Sequence, residues 1–182
     1  MSLAGGRVRS IEDVEEGKVD GAITINENSG IKNVFYTDSH ITYQNVAITL
    51  QSRNYQIDKV SGLGAYKVLA FQNAIKYLGD EFAKMAENND KYKETAKQEK
   101  QIPLLFLDRT QALVLDINIF KYFRREEKSV DTSSAVSIHE VFPPSHYKMA
   151  FLNKDIRDDF NAGLILLKSS GKYENIISRY IQ

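Results

Sequence analysis

Lys67-Val68-Leu69-Ala70-Phe71-Gln72-Asn73-Ala74 combines a short apolar run with a polar turn. The apolar part, Lys67 to Phe71, predicts a buried strand. Asn73 can cap a helix, because its side chain can accept hydrogen bonds from free backbone amides. Apolar side chains then recur at helical spacing, at Ile75, Leu78, Phe82 and Met85. A strand, a tight turn and a helix in this order indicate an α/β unit.

The chain before this unit contains two further strands. Ile11 to Glu16 is typical of the end of a helix, since Gly17 suits the left-handed position after a last turn. A strand is predicted over Val19 to Ile25, followed by a polar loop from Asn26 to Asn33. The alternating Val46, Ile48 and Leu50 predict the next strand.

The chain after this unit continues the alternation of strands and helices. Asn88 to Gln101 is highly charged and predicts a solvated helix or loop, and Ala112 to Asp116 predicts a buried strand that ends in a carboxylate. Strands over Val136 to Val141 and Tyr147 to Phe151 come next. Asn153 can cap a long helix with Ile156, Phe160, Leu164 and Leu167 on its inner face, Gly171 ends it, and a short helix follows. This order requires a parallel or mixed sheet.

The composition excludes several classes of protein. The 182 residues are 42% hydrophobic, which is enough for a real core. Lys plus Arg and Asp plus Glu both number 24, so no net charge attracts nucleic acid, and no nucleic-acid partner is expected. The absence of cysteine excludes disulfides and thiolate chemistry. Met1-Ser2-Leu3 resembles an expression leader, so we expect the natural N-terminus, with any signal peptide, to lie upstream.

No catalytic, metal or cofactor site is predicted. The three histidines, His40, His139 and His146, lack metal-ligand spacing, and the Ser145-His146 pair lacks the motif around a nucleophile. Gly62-Leu63-Gly64 precedes a strand instead of following one, so it does not match a dinucleotide loop. We therefore expect a protein that is not an enzyme and needs no cofactor.

Several segments, in their order along the chain, resemble one family. It is the extracellular (periplasmic) solute-binding proteins, family 3, of polar amino-acid ABC uptake systems. The ending of strand, long helix, glycine and short helix is similar to the ending of that family, and the resemblance covers nearly all of the chain after Val8. The residues that carry it are Gly17 to Ile23, Tyr36-Thr37-Asp38, Lys67 to Ala74, Ala112 to Asp116, Tyr147 to Phe151, Ile156 to Leu167 and Gly171-Lys172-Tyr173.

The resemblance implies an α/β, two-lobed periplasmic-binding-protein type II fold whose lobes are joined by two crossover strands. Lobe one would comprise residues 1–50 with 147–182, and lobe two residues 51–146, with crossings near Ile48 to Tyr55 and His146 to Ala150. The family begins with a strand, a helix and a strand that have no counterpart before Arg9. We therefore expect an incomplete first lobe, whose exposed strands favour a homodimer, a swapped assembly or reduced stability.

The implied function is that of a periplasmic receptor. It captures a small polar solute, such as an amino acid, in a cleft between the lobes and delivers it to the membrane permease of an ABC transporter. The first alternative is a periplasmic ligand-sensing domain of a signalling protein, which uses the same fold. The effector domain of a transcription regulator is a third reading, although a helix-turn-helix and a basic region are missing. An enzyme on this fold is the fourth.

The candidate ligand residues follow predicted strands. Asp116 ends a buried strand, at the edge where open α/β sheets bind ligands, and the matching aspartate of the family binds the ligand amino group. Its alternative role is the N-cap of the next helix. Gln72, Asn73 and Ala74 form a strand-to-helix turn whose amides favour an anionic group, and the alternative is a plain capped helix.

Further candidates come from the first lobe. Thr24, Asn26 and Glu27 follow a strand and match the part of the family that lines the cleft, although such residues also form ordinary turns. Phe35, Tyr36 and Tyr43 are expected in the core more than on a ligand. The family carries an arginine before its aromatic-Ser/Thr-Asp motif, where it clamps a ligand carboxylate. This chain has Asn28-Ser29-Gly30 there, with Lys32 nearby, so a simple α-amino acid is not implied.

Overall fold

The computed structural model describes residues 11–180, with side chains over residues 13–179. The chain divides into two compact units, one of residues 11–42 with 146–179 and one of residues 43–145. It passes between them at Thr42 to Tyr43 and at Ser145 to His146. Among the described residues, no helix is both long and apolar enough to cross a membrane.

The strands and helices alternate along most of the described chain. The strands are β1 (Gly21–Ile25), β2 (Phe35–Tyr36), β3 (Ile41–Tyr43), β4 (Asn45–Leu50), β5 (Val68–Phe71), β6 (Lys93–Thr95), β7 (Ala112–Asp116), β8 (Val136–His139) and β9 (Ser145–Phe151). The α-helices are α1 (Ile11–Glu15), α2 (Ala74–Tyr77), α3 (Asp80–Glu87), α4 (Gln101–Phe106), α5 (Ile117–Glu126), α6 (Lys154–Ser169) and α7 (Lys172–Tyr180). Short 3-10 helices lie at Glu27–Ser29, Gln51–Arg53, Val60–Ala65 and Gln98–Lys100.

The first unit contains an antiparallel sheet in the order β1-β9-β2, and β3 also pairs with β9. Its small core consists of Val14, Ile25, Ile31 and Ala150. The Asn153 side chain accepts hydrogen bonds from the Asp155 amide at 2.7 Å and the Ile156 amide at 3.4 Å, so it caps α6 as predicted. Gly171, with φ of 70°, follows the end of that helix.

The second unit contains a five-stranded sheet in the order β6-β5-β7-β4-β8. Strands β6, β5 and β7 are parallel, whereas β4 is antiparallel to both β7 and β8. Along β7, Ala112 and Val114 join one apolar cluster, and Leu113 and Leu115 join the other. Since alternate side chains of a strand point to opposite faces, both faces of this sheet are covered, which explains the uninterrupted apolar runs of β5 and β7.

Three local features differ from the sequence predictions. The helix predicted after Asn73 is broken into α2 and α3, because Gly79 lies between them with a positive φ of 86° and an extended ψ of 173°, which no helix contains. Asn73 itself has φ of 63° and makes no side-chain cap. The charged segment after Asn88 holds a strand, β6, which pairs with β5.

Two placements also differ from the predicted ones. Strand β4, assigned to lobe one from the sequence, hydrogen-bonds to β7 and β8 and belongs to the sheet of the second unit. Ile156, expected on the inner face of α6, is 45% exposed, while Leu164 on the same helix is buried. The inner face of α6 is therefore narrower than the sequence spacing suggests.

Candidate functional site

The carboxyl edge of the second unit's sheet brings four predicted ligand residues together. Parallel neighbours end at the same edge of a sheet, and β5 and β7 are paired at Ala70 and Val114. Two residues further on, this register places Gln72 level with Asp116, and Asn73 and Ala74 follow directly. Strand β6 lies on the other side of β5, where Glu94 is the partner of Ala70. The Glu94 side chain reaches the edge at the Asn73 amide, so the edge carries two carboxylates, Glu94 and Asp116.

Asp116 is the N-cap of α5. One carboxylate oxygen, Oδ1, accepts hydrogen bonds from the amides of Asn118 at 2.9 Å and Ile119 at 3.0 Å. The other, Oδ2, accepts a hydrogen bond from the Gln44 amide at 2.9 Å. The side chain is buried, with the residue only 3% exposed. The capping role considered from the sequence is confirmed, and a contact with a ligand amino group stays a prediction.

Burial and hydrogen bonding act on Asp116 in opposite directions. Burial raises the pKa of its carboxyl above the usual range, while the amides of Ile119, Asn118 and Gln44 and the charge of Lys121 partly offset that rise. The pKa of the Tyr43 phenol is raised too, first by burial and then by the negative charge of Asp116. Burial therefore disfavours the charged form of both side chains.

Glu94 occupies the strand-to-helix turn that was predicted to receive a ligand anion. Its Oε2 accepts a hydrogen bond from the Asn73 amide at 2.7 Å, and its Oε1 accepts one from the Ile75 amide at 3.2 Å. The Tyr92 hydroxyl donates a third hydrogen bond to Oε1 at 2.7 Å. The chain's own carboxylate thus binds the Asn73 amide, which was among the amides proposed for a ligand.

The environment of Tyr92 reflects this arrangement. Burial, together with the hydrogen bond and charge of Glu94, raises the pKa of the Tyr92 phenol far above its usual range. The phenol therefore stays protonated and remains a donor to Glu94. Neither residue was a candidate from the sequence, because both lie in or beside the polar segment after Asn88, which has no apolar periodicity. The only usable signal was the free amides at Gln72 to Ala74, which require an acceptor.

The first unit holds the other three predicted residues, Thr24, Asn26 and Glu27. Thr24 is left-handed, with φ of 55°, at an irregularity in the pairing of β1 with β9. The Asn26 side chain accepts a hydrogen bond from the Asn28 amide at 3.1 Å and caps a 3-10 turn. Glu27 forms an ion pair with Lys148, whose hydrogen bond is the main cause that lowers the pKa of Glu27.

These contacts agree with ordinary turn roles for Asn26 and Glu27, and ligand roles for them stay predictions. Thr24 is different, because a β-branched residue in the left-handed region is strained by about 1–3 kcal/mol. Such strain concentrates at functional sites. Within the described residues, no group of three or more His, Cys, Asp or Glu side chains could hold a metal ion.

Comparisons with known proteins identify the fold. No protein-family model matches the chain, and no relative is found among curated proteins. Solved structures are similar across most of the chain. An ancestral arginine-binding protein bound to arginine has 20% identity and a TM-score of 0.72, covering 94% of this chain and 76% of that one.

Two further structures are similar to the same extent. A histidine kinase sensor domain with similarity to periplasmic binding proteins has 17% identity and a TM-score of 0.72, covering 94% of this chain and 73% of that one. The arginine-, lysine-, histidine-binding protein ArtJ from Geobacillus stearothermophilus has 15% identity and a TM-score of 0.69, with 93% and 73% covered. The predicted fold class is therefore confirmed: the chain has the α/β fold of the periplasmic binding proteins.

Proposed function

We propose that this chain is a receptor for a small polar solute of the amino-acid class that carries an ammonium or guanidinium group. The observation that carries the proposal is the pair of carboxylates, Glu94 and Asp116, on the carboxyl edge of one sheet. Each accepts three hydrogen bonds from the residues that the structure describes. Because an ionised carboxylate offers about four acceptor sites, one site remains on each, along with the negative charge.

The charge of this edge favours a cationic group over an anionic one. Glu94 already takes the place of an anion at the start of α2, so a solute carboxylate would face a like charge there. Two of the similar structures are named for proteins that bind arginine or the basic amino acids, which supports the same class of solute. Thr24, Asn26 and Glu27 of the first unit remain proposed contacts.

The biological role we propose is solute capture in the periplasm for the permease of an ABC transporter, without catalysis. The similar structures named as binding proteins support binding over turnover. The second candidate is sensing, favoured by the similarity to a histidine kinase sensor domain. The full gene discriminates between them: a downstream membrane span and kinase segment would favour sensing, and a neighbouring permease gene would favour transport.

Calorimetry and thermal shift with a panel of solutes test the proposed function. We expect arginine, lysine, histidine or a polyamine to raise the unfolding temperature, and glutamate and aspartate to have a smaller effect. The Asp116→Asn and Glu94→Gln variants should each bind the best solute more weakly, by about 2–5 kcal/mol if the ion pair is desolvated. Asp80→Asn, at the start of α3, is the control. Preference for anionic solutes, or full binding by both variants, would refute the proposal.

We also propose that the chain forms a homodimer, as the sequence analysis expects from an incomplete first lobe. The first unit exposes Ile23 (66%) on β1 and the neighbouring Ile165 (62%) and Leu166 (70%) on α6, and exposed apolar side chains favour an interface. We expect sedimentation to show a dimer at micromolar concentration. An Ile165→Glu, Leu166→Lys variant, which leaves the net charge unchanged, should shift it toward monomer. A wild-type protein that stays monomeric at roughly 100 μM, a concentration far above a micromolar Kd, contradicts the proposal.

A further inference from the structure

We propose that the second unit carries another binding site, for a small phosphate-bearing anion, at the amino-terminal edge of its sheet. A cavity of about 820 Å³ lies there, formed at the starts of β5, β6 and β7 and at the end of α4. Its volume falls within the range of small-molecule pockets, about 300–1,000 Å³. Its charged lining residues are Arg53, Lys67, Lys91, Lys93, Asp108 and Arg109.

This cavity is separate from the candidate solute site. Strands β5, β6 and β7 are parallel, so all three begin at one edge of the sheet and end at the other. Lys67 and Lys93 stand at the beginning, whereas Asp116 and the turn at Asn73 stand at the end. Glu94 directly follows Lys93 in β6, but its side chain extends to the turn at the end, where it accepts from the Asn73 amide. The four residues of β5 span about 13 Å at 3.3 Å per residue. The two edges also differ in charge, with cations at one and carboxylates at the other.

Most of the cations in the cavity have no ionic partner. Asp108, the only acidic lining residue, forms an ion pair with Arg53. Lys67, Lys91, Lys93 and Arg109 form no ion pair with any residue that the structure describes. The whole chain has a formal net charge of zero, so four unpaired cations in one cavity are a local concentration of charge. These four exposed side chains give this part of the surface a positive potential.

The strand register brings some of these cations close together. Lys93 pairs with Leu69 across the parallel β5 and β6. Lys67 and Lys91 each come two residues before this pair, just ahead of the two neighbouring strands, and both line the cavity. Like charges that lie close together repel each other, and an anion bound between them attracts both and so offsets their repulsion.

The walls of the cavity are fixed by hydrogen bonds that do not involve the charged groups. The Thr110 hydroxyl donates to the Lys67 carbonyl at 2.9 Å, and the Gln111 side chain accepts from the Lys67 amide at 2.8 Å. The Gln111 amide group also donates to the Tyr55 hydroxyl at 2.8 Å, and the Tyr55 ring lies 4.5 Å from the ring of Tyr66. The site is therefore largely formed before any ligand binds.

Hydrogen bonds occupy several of the carbonyls at the end of α4. The carbonyls of Pro103, Leu104 and Leu105 accept hydrogen bonds from the amides of residues 107–110, at 2.8–3.2 Å. Arg109 follows α4 and offers a planar fork that suits a phosphate, while the lysines act as point charges. Tyr55 and Leu104 add an apolar wall for the organic part of a phosphate ester.

Calorimetry with inorganic triphosphate tests this proposal. We expect micromolar binding at 50 mM NaCl that weakens severalfold at 300 mM, because salt screens charges in an open site. The Lys67→Gln, Lys93→Gln double variant should bind at least tenfold more weakly. The matched control, Lys59→Gln with Lys84→Gln, removes the same charge from exposed positions of the same unit, outside the cavity, and should change binding less than twofold.

Three results would overturn the proposal. The first is no binding of triphosphate at 50 mM NaCl. The second is equal weakening in the two double variants, which would mean general charge attraction. The third is binding to vesicles that contain phosphatidic acid, or to an acidic peptide, without binding of free triphosphate. Asp116→Asn should leave triphosphate binding unchanged, so this site and the solute site can fail independently.

Discussion

Replacing Asp116 by Asn removes the charge that joins β4, β7 and α5 with little change in side-chain size. The native carboxylate accepts three backbone hydrogen bonds at 2.9–3.0 Å. The asparagine carbonyl oxygen can keep the two amides of α5, but its NH2 group then faces the Gln44 amide, donor against donor. A hydrogen bond to a charged group contributes about 1.5–3 kcal/mol. The residue is only 3% exposed, so water has little access to replace the lost bond.

We expect the free energy of unfolding to fall by about 2 kcal/mol at pH 7. The value lies near the lower end of the range because burial raises the pKa of this carboxyl, and removing a buried charge offsets part of the loss. Urea unfolding followed by circular dichroism measures it. With a slope of about 1–3 kcal/mol per molar urea, the midpoint should fall by roughly 1 M.

The control for this prediction is Asp80→Asn. Asp80 is exposed in the first turn of α3, and its side chain accepts no hydrogen bond from the part of the chain that the structure describes. Its replacement should change the free energy of unfolding by less than about 0.5 kcal/mol. If Asp116→Asn changes it no more than the control does, the three amide bonds give no net stability and the reasoning is refuted.

Other substitutions probe the two units in turn. Glu94→Gln should destabilise the second unit by about 1–2 kcal/mol in urea unfolding, because the NH2 group cannot accept from a backbone amide; an unchanged midpoint contradicts this. Gly21→Ala places a Cβ against the Ala150 carbonyl and should cost about 1–3 kcal/mol, whereas Gly163→Ala, in open space on α6, should add about 0.5–1 kcal/mol. Equal urea midpoints for the Gly21→Ala and Gly163→Ala variants would refute these two predictions. Burial lowers the pKa of His40 below the ordinary histidine value of about 6.5. The neutral imidazole therefore contributes stability above about pH 6.5, and this stability is lost as the pH falls. The urea midpoint of the His40→Gln variant should decline less between pH 7 and 5 than that of the wild type, and parallel declines would contradict this prediction.

The parts of the fold that could be predicted from sequence are those that local physics determines. Continuous apolar runs such as Ala112 to Leu115 occur where both faces of a strand are covered, and β7 is buried along its whole length. Asp116 and Asn153 are caps because a short polar side chain before an apolar helix has few other uses. The left-handed position of Gly171 follows from the absence of a Cβ atom.

Non-local pairing accounts for what the sequence did not show. Strand β6 consists of Lys93, Glu94 and Thr95, which have no apolar alternation, and it exists because the backbone of β5 offers a free edge. The break at Gly79 was also hidden, since the apolar positions on either side keep helical spacing across it. In both places the local pattern is compatible with more than one structure, and contacts with distant segments select one.

Glu94 shows how such a contact changes a functional expectation. Local rules correctly imply that the amides after β5 need an acceptor, and the nearest one in sequence is the Asn73 side chain. That side chain is unable to cap because Asn73 itself is left-handed, so a carboxylate 21 residues away accepts from the Asn73 and Ile75 amides instead. The amides that would have favoured an anionic solute are thus bound by Glu94, and its carboxylate gives this edge of the sheet a negative charge. The charge at this edge therefore depends on the pairing of β6 with β5, which the turn sequence alone does not show.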